Sequence, residues 1–156
     1  MAIRLVGKNK PNTVRIACRA ADTIELDNLI ELQGNLKELS DHAYTALRKS
    51  IIELGFSFPV NAWQSGKKVF ILDATQRTRV LRRMRDVEGW KVPPLPVAWV
   101  EAENTKEAAT KLLAAAAQFG EVTQDGLYEF LHKFKLDFSM LKDQLKFANI
   151  DPIKFE

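Results

Sequence analysis

The chain has 156 residues, of which 46% are hydrophobic and 28% are charged, with a net charge of +3. This composition is close to that of an average soluble globular protein and argues against disorder over the whole length. The length suits one compact domain, or one domain with a small helical appendage, and the single cysteine, Cys18, excludes an internal disulfide framework.

No stretch of the sequence reads as a secretory leader or a membrane span. Residues 1–10 contain three positive charges but no apolar run of signal-peptide length. The longest apolar stretches, such as 112–117, are far shorter than the ~20 residues that a spanning helix needs. We therefore expect a soluble protein of the cytoplasm with no membrane partner.

The charge is distributed unevenly along the chain. Residues 64–85 contain seven cations and one anion, whereas residues 21–41 contain six acids and one lysine. Such a division predicts one surface suited to phosphate and another that repels it.

The first forty residues contain short β-type runs, followed by a clear helix. Residues 3–6 and 13–16 read as strands, and 23–31 as a strand followed by a loop. Ser40 is a good N-cap for a helix whose apolar residues recur every three or four positions, and Gly55 suits its left-handed C-terminal residue.

A hairpin follows this helix. Residues 58–63 and 69–72 read as its strands, joined by a turn at 64–67. Further along, 93–100 is apolar and extended, and its prolines suit the start of a strand or a sheet edge.

The second helix follows the hairpin directly. Asp73 precedes Gln76 by three residues, which is the pattern of a capped helix start, and Gly89 ends the helix. Three more helices are predicted near the C-terminus, over 105–119, 123–134 and 137–148, and the last two begin with the cap residues Thr123 and Asp137. They read as an appended bundle or as the arm of a homodimer.

The second helix is rich in arginine. Its helical spacing predicts an apolar stripe of Val80, Leu81, Met84 and Val87. Arg79, Arg82 and Arg83 share another face, which we expect to be exposed. This face is either a solvated surface or a site for a nucleic-acid backbone, and five arginines over 77–85 without an acid favour the second. Lys67 and Lys68 add a basic hairpin turn.

Arg77 lies at the inward edge of the first turn of this helix, where a guanidinium needs an anion. That anion is either an internal acid, from Asp73 or residues 21–41, or a phosphate at the helix N-terminus. Asp73 also has two readings. It is the N-cap, or it binds a metal or acts as a general base beside a bound phosphate.

Other candidate groups are weaker. His42 and His132 lie ninety positions apart and Cys18 has no nearby partner, so no metal site is predicted. The three tryptophans read as core residues. Phe56 and Phe58 flank a turn, where core packing is favoured over stacking on a base.

The order of these elements resembles that of the ParB/sulfiredoxin superfamily. The resemblance rests on residues 33–37, the Ser40 helix, 55–60, 71–79 and 96–100, and it extends over about 29–131. The chain is most similar to ParB N-terminal-type domains of bacteriophages and mobile elements, some of which are fused to DNA methyltransferases. The resemblance implies an α+β fold, a small mixed sheet with flanking helices over residues 1–102, followed by a helical extension over 103–156.

The resemblance also implies site residues. In the family, a strand–turn–helix motif binds phosphate, and Arg77 matches its phosphate-binding arginine. The implied phosphate or nucleotide contacts are Lys37, Gly55, Phe56, Ser57, Gln76, Arg77 and Thr78, and the positions matching catalytic residues are Asp73 and Thr75. Two departures bear on activity. Ala74 replaces the usual glycine, and Thr75 is a poor general base near pH 7.

The family contains nucleotide-dependent DNA clamps, nucleotide hydrolases, nucleases and sulfinic-acid reductases. The resemblance therefore implies a phosphate-recognising, DNA-associated domain that binds nucleotide or DNA backbone and serves DNA modification or segregation in the host cytoplasm. An active nuclease or nucleoside-triphosphate hydrolase, with a nucleoside triphosphate and magnesium, is the alternative. A phage protein that binds a host protein is a third reading.

Overall fold

The computed structural model describes residues 12–34, 36, 38–119 and 123–137, which form an α+β fold. The strands are β1 (Asp22–Ile24), β2 (Leu29–Glu31), β3 (Val60–Ser65), β4 (Lys68–Asp73) and β5 (Leu95–Trp99). The helices are α1 (Asp41–Leu54), α2 (Thr75–Glu88), α3 (Thr105–Phe119) and α4 (Gln124–Phe134). The strand predicted over 3–6 lies outside the described residues, as does the helix predicted over 137–148 apart from its first residue.

The five strands form one mixed sheet in the order β1-β5-β3-β4-β2. The predicted hairpin is therefore present as β3 and β4, which are neighbours in the sheet. β1 runs antiparallel to β5, with Thr23 opposite Pro96. Since β5 lies between β1 and β3, its prolines do not mark a sheet edge. Pro94 immediately precedes β5 and Pro96 is its second residue. These prolines therefore lie at the start of a strand, which is the other place that suits proline.

The helix ends follow local capping signals. The Ser40 hydroxyl accepts a hydrogen bond from the Ala43 N–H at 3.1 Å and begins α1, as predicted. The Thr123 hydroxyl does the same for α4, accepting from the Gly126 N–H at 3.0 Å. Gly89 ends α2 in the left-handed conformation. These predictions are confirmed because a cap depends on residues within one turn of itself.

The described residues group into two compact units. The first contains residues 12–29, 39–61 and 74–98, and the second contains the described residues of 30–38, 62–73 and 99–137. The predicted division between 1–102 and 103–156 stays a prediction.

The first unit is built around the packing of α1 on α2. Val80, Leu81 and Met84 are fully buried on α2, as the predicted stripe requires. Val87 is 75% exposed, so its prediction as a core residue is wrong. The last turn of α2, from residue 86 to Gly89, is exposed on all sides. Helical periodicity predicts which face of a helix is apolar, but not how far along the helix other residues pack on that face.

The second unit has an apolar core to which α3, α4, β3 and β4 contribute. Its buried residues are Leu32, Leu36, Trp63, Leu72, Ala108, Ala109, Leu112, Leu113, Leu127, Phe130, Leu131 and Leu136. Trp63 stacks on Phe70 and donates from Nε1 to the Ala102 carbonyl at 3.0 Å, which confirms its core position. Trp99, also predicted to be core, is 43% exposed. Among the helices of the described residues, none has both the length and the apolarity that crossing a membrane requires.

A polar cluster joins α1 to α2 in the first unit. The buried Tyr44 donates its hydroxyl hydrogen to Glu88, and Arg48 donates from Nε to both carboxylate oxygens of Glu88 at 2.8 and 3.1 Å. These two donors, Arg48 first, lower the pKa of Glu88 below its usual value. The charged form of Glu88 therefore stabilises the fold.

The cluster predicts an acid-dependent loss of stability. A lowered pKa in the folded state means that Glu88 stabilises the protein above its unfolded-state pKa, and that this contribution is lost as pH falls through the folded-state pKa. We expect Glu88→Gln to reduce the free energy of unfolding by about 1 kcal/mol at pH 7 and to flatten its decline between pH 6 and pH 3. Urea titrations across this pH range measure both effects.

The matched control for this prediction is Glu53→Gln. Glu53 reaches Lys49 only at 4.0 Å, and both side chains are well exposed. Its removal should change stability by less than about 0.5 kcal/mol. Parallel pH profiles for Glu88→Gln and the unmodified protein would contradict the assignment.

Candidate phosphate-binding site

The chain passes from β4 into α2 through a left-handed residue. Ala74 occupies the N-cap position with φ +104° and ψ +18°, and its methyl side chain has no oxygen to cap the helix. Asp73, predicted as the cap, is instead the last residue of β4, in the second unit, with an exposed side chain. That prediction is wrong because the left-handed turn moves the cap position one residue along the chain.

This conformation is strained for alanine. A residue with a β-carbon pays about 1–2 kcal/mol in the left-handed region, where glycine is accommodated at little cost. Ala74 is also buried, so the surrounding residues hold it there. Strain of this kind persists where the fold over-determines it, and it concentrates at binding and catalytic sites.

The first turn of α2 contains a buried hydroxyl group without a partner. Thr75 is only 3% exposed, and its Oγ1 has no hydrogen-bond partner among the described residues. Thr78 lies one turn later, fully buried, and its hydroxyl donates to the Thr75 carbonyl at 2.9 Å. A buried, unsatisfied hydroxyl costs about 1–3 kcal/mol, so the Thr75 hydroxyl points to a partner such as a ligand oxygen. Gln76, the next residue, is half-buried.

Arg77 is held in place by the turn that follows α1. Its Nη1 donates to the Phe58 carbonyl at 2.6 Å and its Nη2 donates to the Pro59 carbonyl at 3.4 Å. The guanidinium also lies over the ring of Phe56, 4.8 Å from the ring centroid. These contacts orient the guanidinium relative to the turn.

The turn itself depends on Gly55. This glycine has φ +84°, and a β-carbon there would lie 2.8 Å from Ala17 Cβ and 2.9 Å from the Arg15 carbonyl oxygen. The close approach allows two backbone hydrogen bonds of 2.8 Å, from the Phe56 N–H to the Arg15 carbonyl and from the Ala17 N–H to the Phe56 carbonyl. Ser57 reinforces the turn, since its hydroxyl lies 3.2 and 3.1 Å from the carbonyl oxygens of residue 54 and Gly55.

Two residues beside this turn were not predicted as site residues. Arg15 donates to the Glu53 carbonyl at a long 3.4 Å, and its buried Nε has no hydrogen-bond partner among the described residues. Cys18 Sγ donates to the Phe56 carbonyl at 3.4 Å. Both come from a segment about forty positions away in sequence, and no local pattern indicates such a pairing.

The thiol of Cys18 is not set up as a nucleophile. Burial raises the pKa of Cys18 above its ordinary value, and the positive charge of Arg77 offsets that rise only in part. The thiol is therefore protonated near pH 7, whereas the thiolate is the reactive form.

The arginine face of α2 is less exposed than predicted. Arg79 and Arg82 are half-buried, and Arg82 donates to the Leu29 carbonyl at 2.7 Å and the Leu26 carbonyl at 3.3 Å. The expected exposure is therefore wrong for these two residues. Arg82 thus links α2 to Leu26 and to the first residue of β2, so it has a role in holding the fold.

The acidic and basic stretches also contact each other within the first unit. Arg85 pairs with Asp27 at 2.6 Å. The exposed Arg83 lies over the ring of Tyr44 and 3.8 Å from Asp41. The prediction of two separate surfaces, one basic and one acidic, is therefore wrong for these pairs.

The remaining candidates belong to the second unit or fall outside the described residues. Lys67 is exposed in the β3–β4 turn and Lys68 is exposed at the start of β4, both in the second unit. Lys37 lies outside the described residues. Within the described part of the chain, no group of three or more His, Cys, Asp or Glu side chains could hold a metal ion.

The first unit thus contains the start of α2, with Thr75 and Arg77, and the turn at 55–59 that Arg77 contacts. A helix N-terminus attracts negative charge, a guanidinium offers several N–H donors, and a buried hydroxyl offers one more. This combination is suited to an oxyanion. No family model matches the chain, and no curated protein matches its sequence.

The left-handed residue gives a testable prediction. We expect Ala74→Gly to leave the free energy of unfolding unchanged or to raise it by up to about 1 kcal/mol, because relief of strain outweighs the lost methyl and the more flexible unfolded chain. Ala62→Gly, at a fully buried alanine within β3, should lower it by at least about 1 kcal/mol. Thermal and urea unfolding compare the two. Equal destabilisation by both changes would contradict the strain at Ala74.

Proposed function

We propose that this protein is a phosphate-recognising binding module, which holds a nucleotide or a nucleic-acid backbone at the start of α2. The observation that carries the proposal is the Thr75 hydroxyl, buried without a partner among the described residues, two positions before Arg77. A phosphate oxygen would accept a hydrogen bond from that hydroxyl, and a guanidinium is well suited to bind phosphate.

The physical basis is the joint action of the helix and the guanidinium. The first backbone N–H groups of a helix point along its axis, and together with the helix dipole they favour an anion. The carbonyls of Phe58 and Pro59 fix the Arg77 guanidinium beforehand, so less side-chain entropy is lost when a phosphate binds. Preorganisation of this kind raises affinity without adding contacts.

The resemblance to the ParB/sulfiredoxin superfamily supports the same site. Arg77 matches the arginine that binds phosphate in that family, and the strand–turn–helix order is β4, Ala74 and α2. On this resemblance we propose a DNA-associated role in a phage or mobile element, in the host cytoplasm, with DNA modification or segregation as the process served. Binding is favoured over hydrolysis because the neutral hydroxyl of Thr75 is a poor general base.

The proposal predicts pyrophosphate binding that depends on Arg77. Arg77→Gln removes the positive charge and keeps a polar side chain, so we expect the dissociation constant for pyrophosphate to rise at least 10-fold. Arg83→Gln is the matched control, because it removes the same charge from an exposed position of the same helix and should change the constant less than about 3-fold. Isothermal titration calorimetry at two salt concentrations measures binding, and circular dichroism checks the fold.

Three outcomes contradict the proposal. The unmodified protein could fail to bind pyrophosphate, nucleoside triphosphate and single-stranded DNA alike. Arg83→Gln could weaken binding as much as Arg77→Gln, which would indicate a diffuse charge effect. Release of phosphate from a nucleoside triphosphate with magnesium, abolished by Asp73→Ala, would identify an enzyme instead.

A further inference from the structure

The two phenylalanines of the turn after α1 occupy opposite environments. Phe56 is 1% exposed, and its ring lies beneath the Arg77 guanidinium. Phe58 is 71% exposed, and its ring makes no aromatic or cation–π contact within the described residues. Core packing, which the sequence favoured for both, therefore holds for Phe56 alone.

The backbone that carries the Phe58 ring is held in place. Its carbonyl accepts the 2.6 Å hydrogen bond from Arg77, and the next residue is Pro59, whose ring fixes φ. On the other side, the Ser57 hydroxyl lies within hydrogen-bond distance of the carbonyl oxygens of residue 54 and Gly55. The backbone on either side of the exposed ring is therefore held by hydrogen bonds.

One residue therefore combines an aromatic face with a link to the cation of the candidate phosphate site. Because the carbonyl of Phe58 itself binds Arg77, the ring and the guanidinium can lie no farther apart than the length of one residue and one hydrogen bond. A nucleotide presents a flat base and a phosphate at a similar separation. A ring beside a phosphate-binding cation is the arrangement by which proteins hold unpaired nucleotides.

We propose that Phe58 stacks on a nucleobase whose phosphate is bound at Arg77 and Thr75. This inference rests on the proposed function and specifies its ligand as a nucleotide unit with an unpaired base. Duplex DNA does not fit, because its bases stack on one another and their faces are covered. The source of the unit is either a free nucleotide or a single strand of DNA, and both share this chemistry.

The experiment compares ligands with and without a base. The probes are pyrophosphate, a panel of nucleoside triphosphates, a ten-residue thymidine oligonucleotide and an abasic strand of the same length. Phe58→Leu keeps an apolar side chain but removes the aromatic face, and Phe58→Trp keeps a face for stacking. Leu54→Ala is the matched control, since Leu54 is an exposed apolar residue at the end of α1, just before the turn.

We expect Phe58→Leu to raise the dissociation constants of base-bearing ligands about 10-fold, while those of pyrophosphate and the abasic strand change less than 2-fold. Phe58→Trp should retain the binding of base-bearing ligands, and Leu54→Ala should leave it unchanged. Whichever of the triphosphates and the oligonucleotide binds more tightly identifies the source of the nucleotide unit.

The outcomes separate this inference from the proposed function. If Phe58→Leu weakens pyrophosphate and base-bearing ligands equally, or neither, the stacking role is overturned while the phosphate site stands. An equal loss in Leu54→Ala would indicate that an apolar partner covers this surface, and it would also overturn the inference. Failure of the unmodified protein to bind pyrophosphate, nucleoside triphosphates and single-stranded DNA alike removes the proposed function and this inference together.

Discussion

The contact on which the candidate site depends is the pair of hydrogen bonds from the Arg77 guanidinium to the carbonyls of Phe58 and Pro59. These bonds tie the first turn of α2 to the turn that follows α1, so neither can shift without the other. The guanidinium also lies over the buried ring of Phe56. The position of the guanidinium is therefore set by the fold before any ligand arrives, which is the condition for binding at low entropic cost.

Three of the arginines of α2 have different neighbours. Arg82 and Arg85 reach the segment around residues 26–29, through carbonyls in one case and through Asp27 in the other. Such contacts hold α2 against the rest of the first unit and explain why an acidic stretch and a basic stretch coexist in one short chain. Arg77 contacts carbonyls of the turn after α1. A count of charges along the sequence does not separate these roles, since all three arginines lie on the same helix within nine residues.

Whether a feature could be predicted from the sequence depends on how far apart in the chain the interacting residues lie. The caps at Ser40 and Thr123 and the stop at Gly89 depend on residues within one helical turn, and the structure contains all three. The left-handed Ala74 was not predictable, because it is imposed by the junction between a strand and a helix whose directions the tertiary fold determines. The pairing of Arg15 and Ala17 with Phe56 spans about forty residues, and no local pattern encodes it. The fold class and most element boundaries were therefore accessible, whereas the surroundings of the site were not.

Two unfavourable features meet at the start of α2, and they differ in what could relieve them. The backbone strain at Ala74 is set by the fold, so a ligand leaves it unchanged and only a residue without a β-carbon removes it. The unsatisfied hydroxyl of Thr75 is different, because its cost is one of lost hydrogen bonding and a single oxygen atom in the right place would remove it. A fold without a ligand at this position gains nothing from burying that hydroxyl, and a valine of the same shape would be more favourable there. The buried hydroxyl at this helix start is therefore the observation on which we propose an oxyanion ligand.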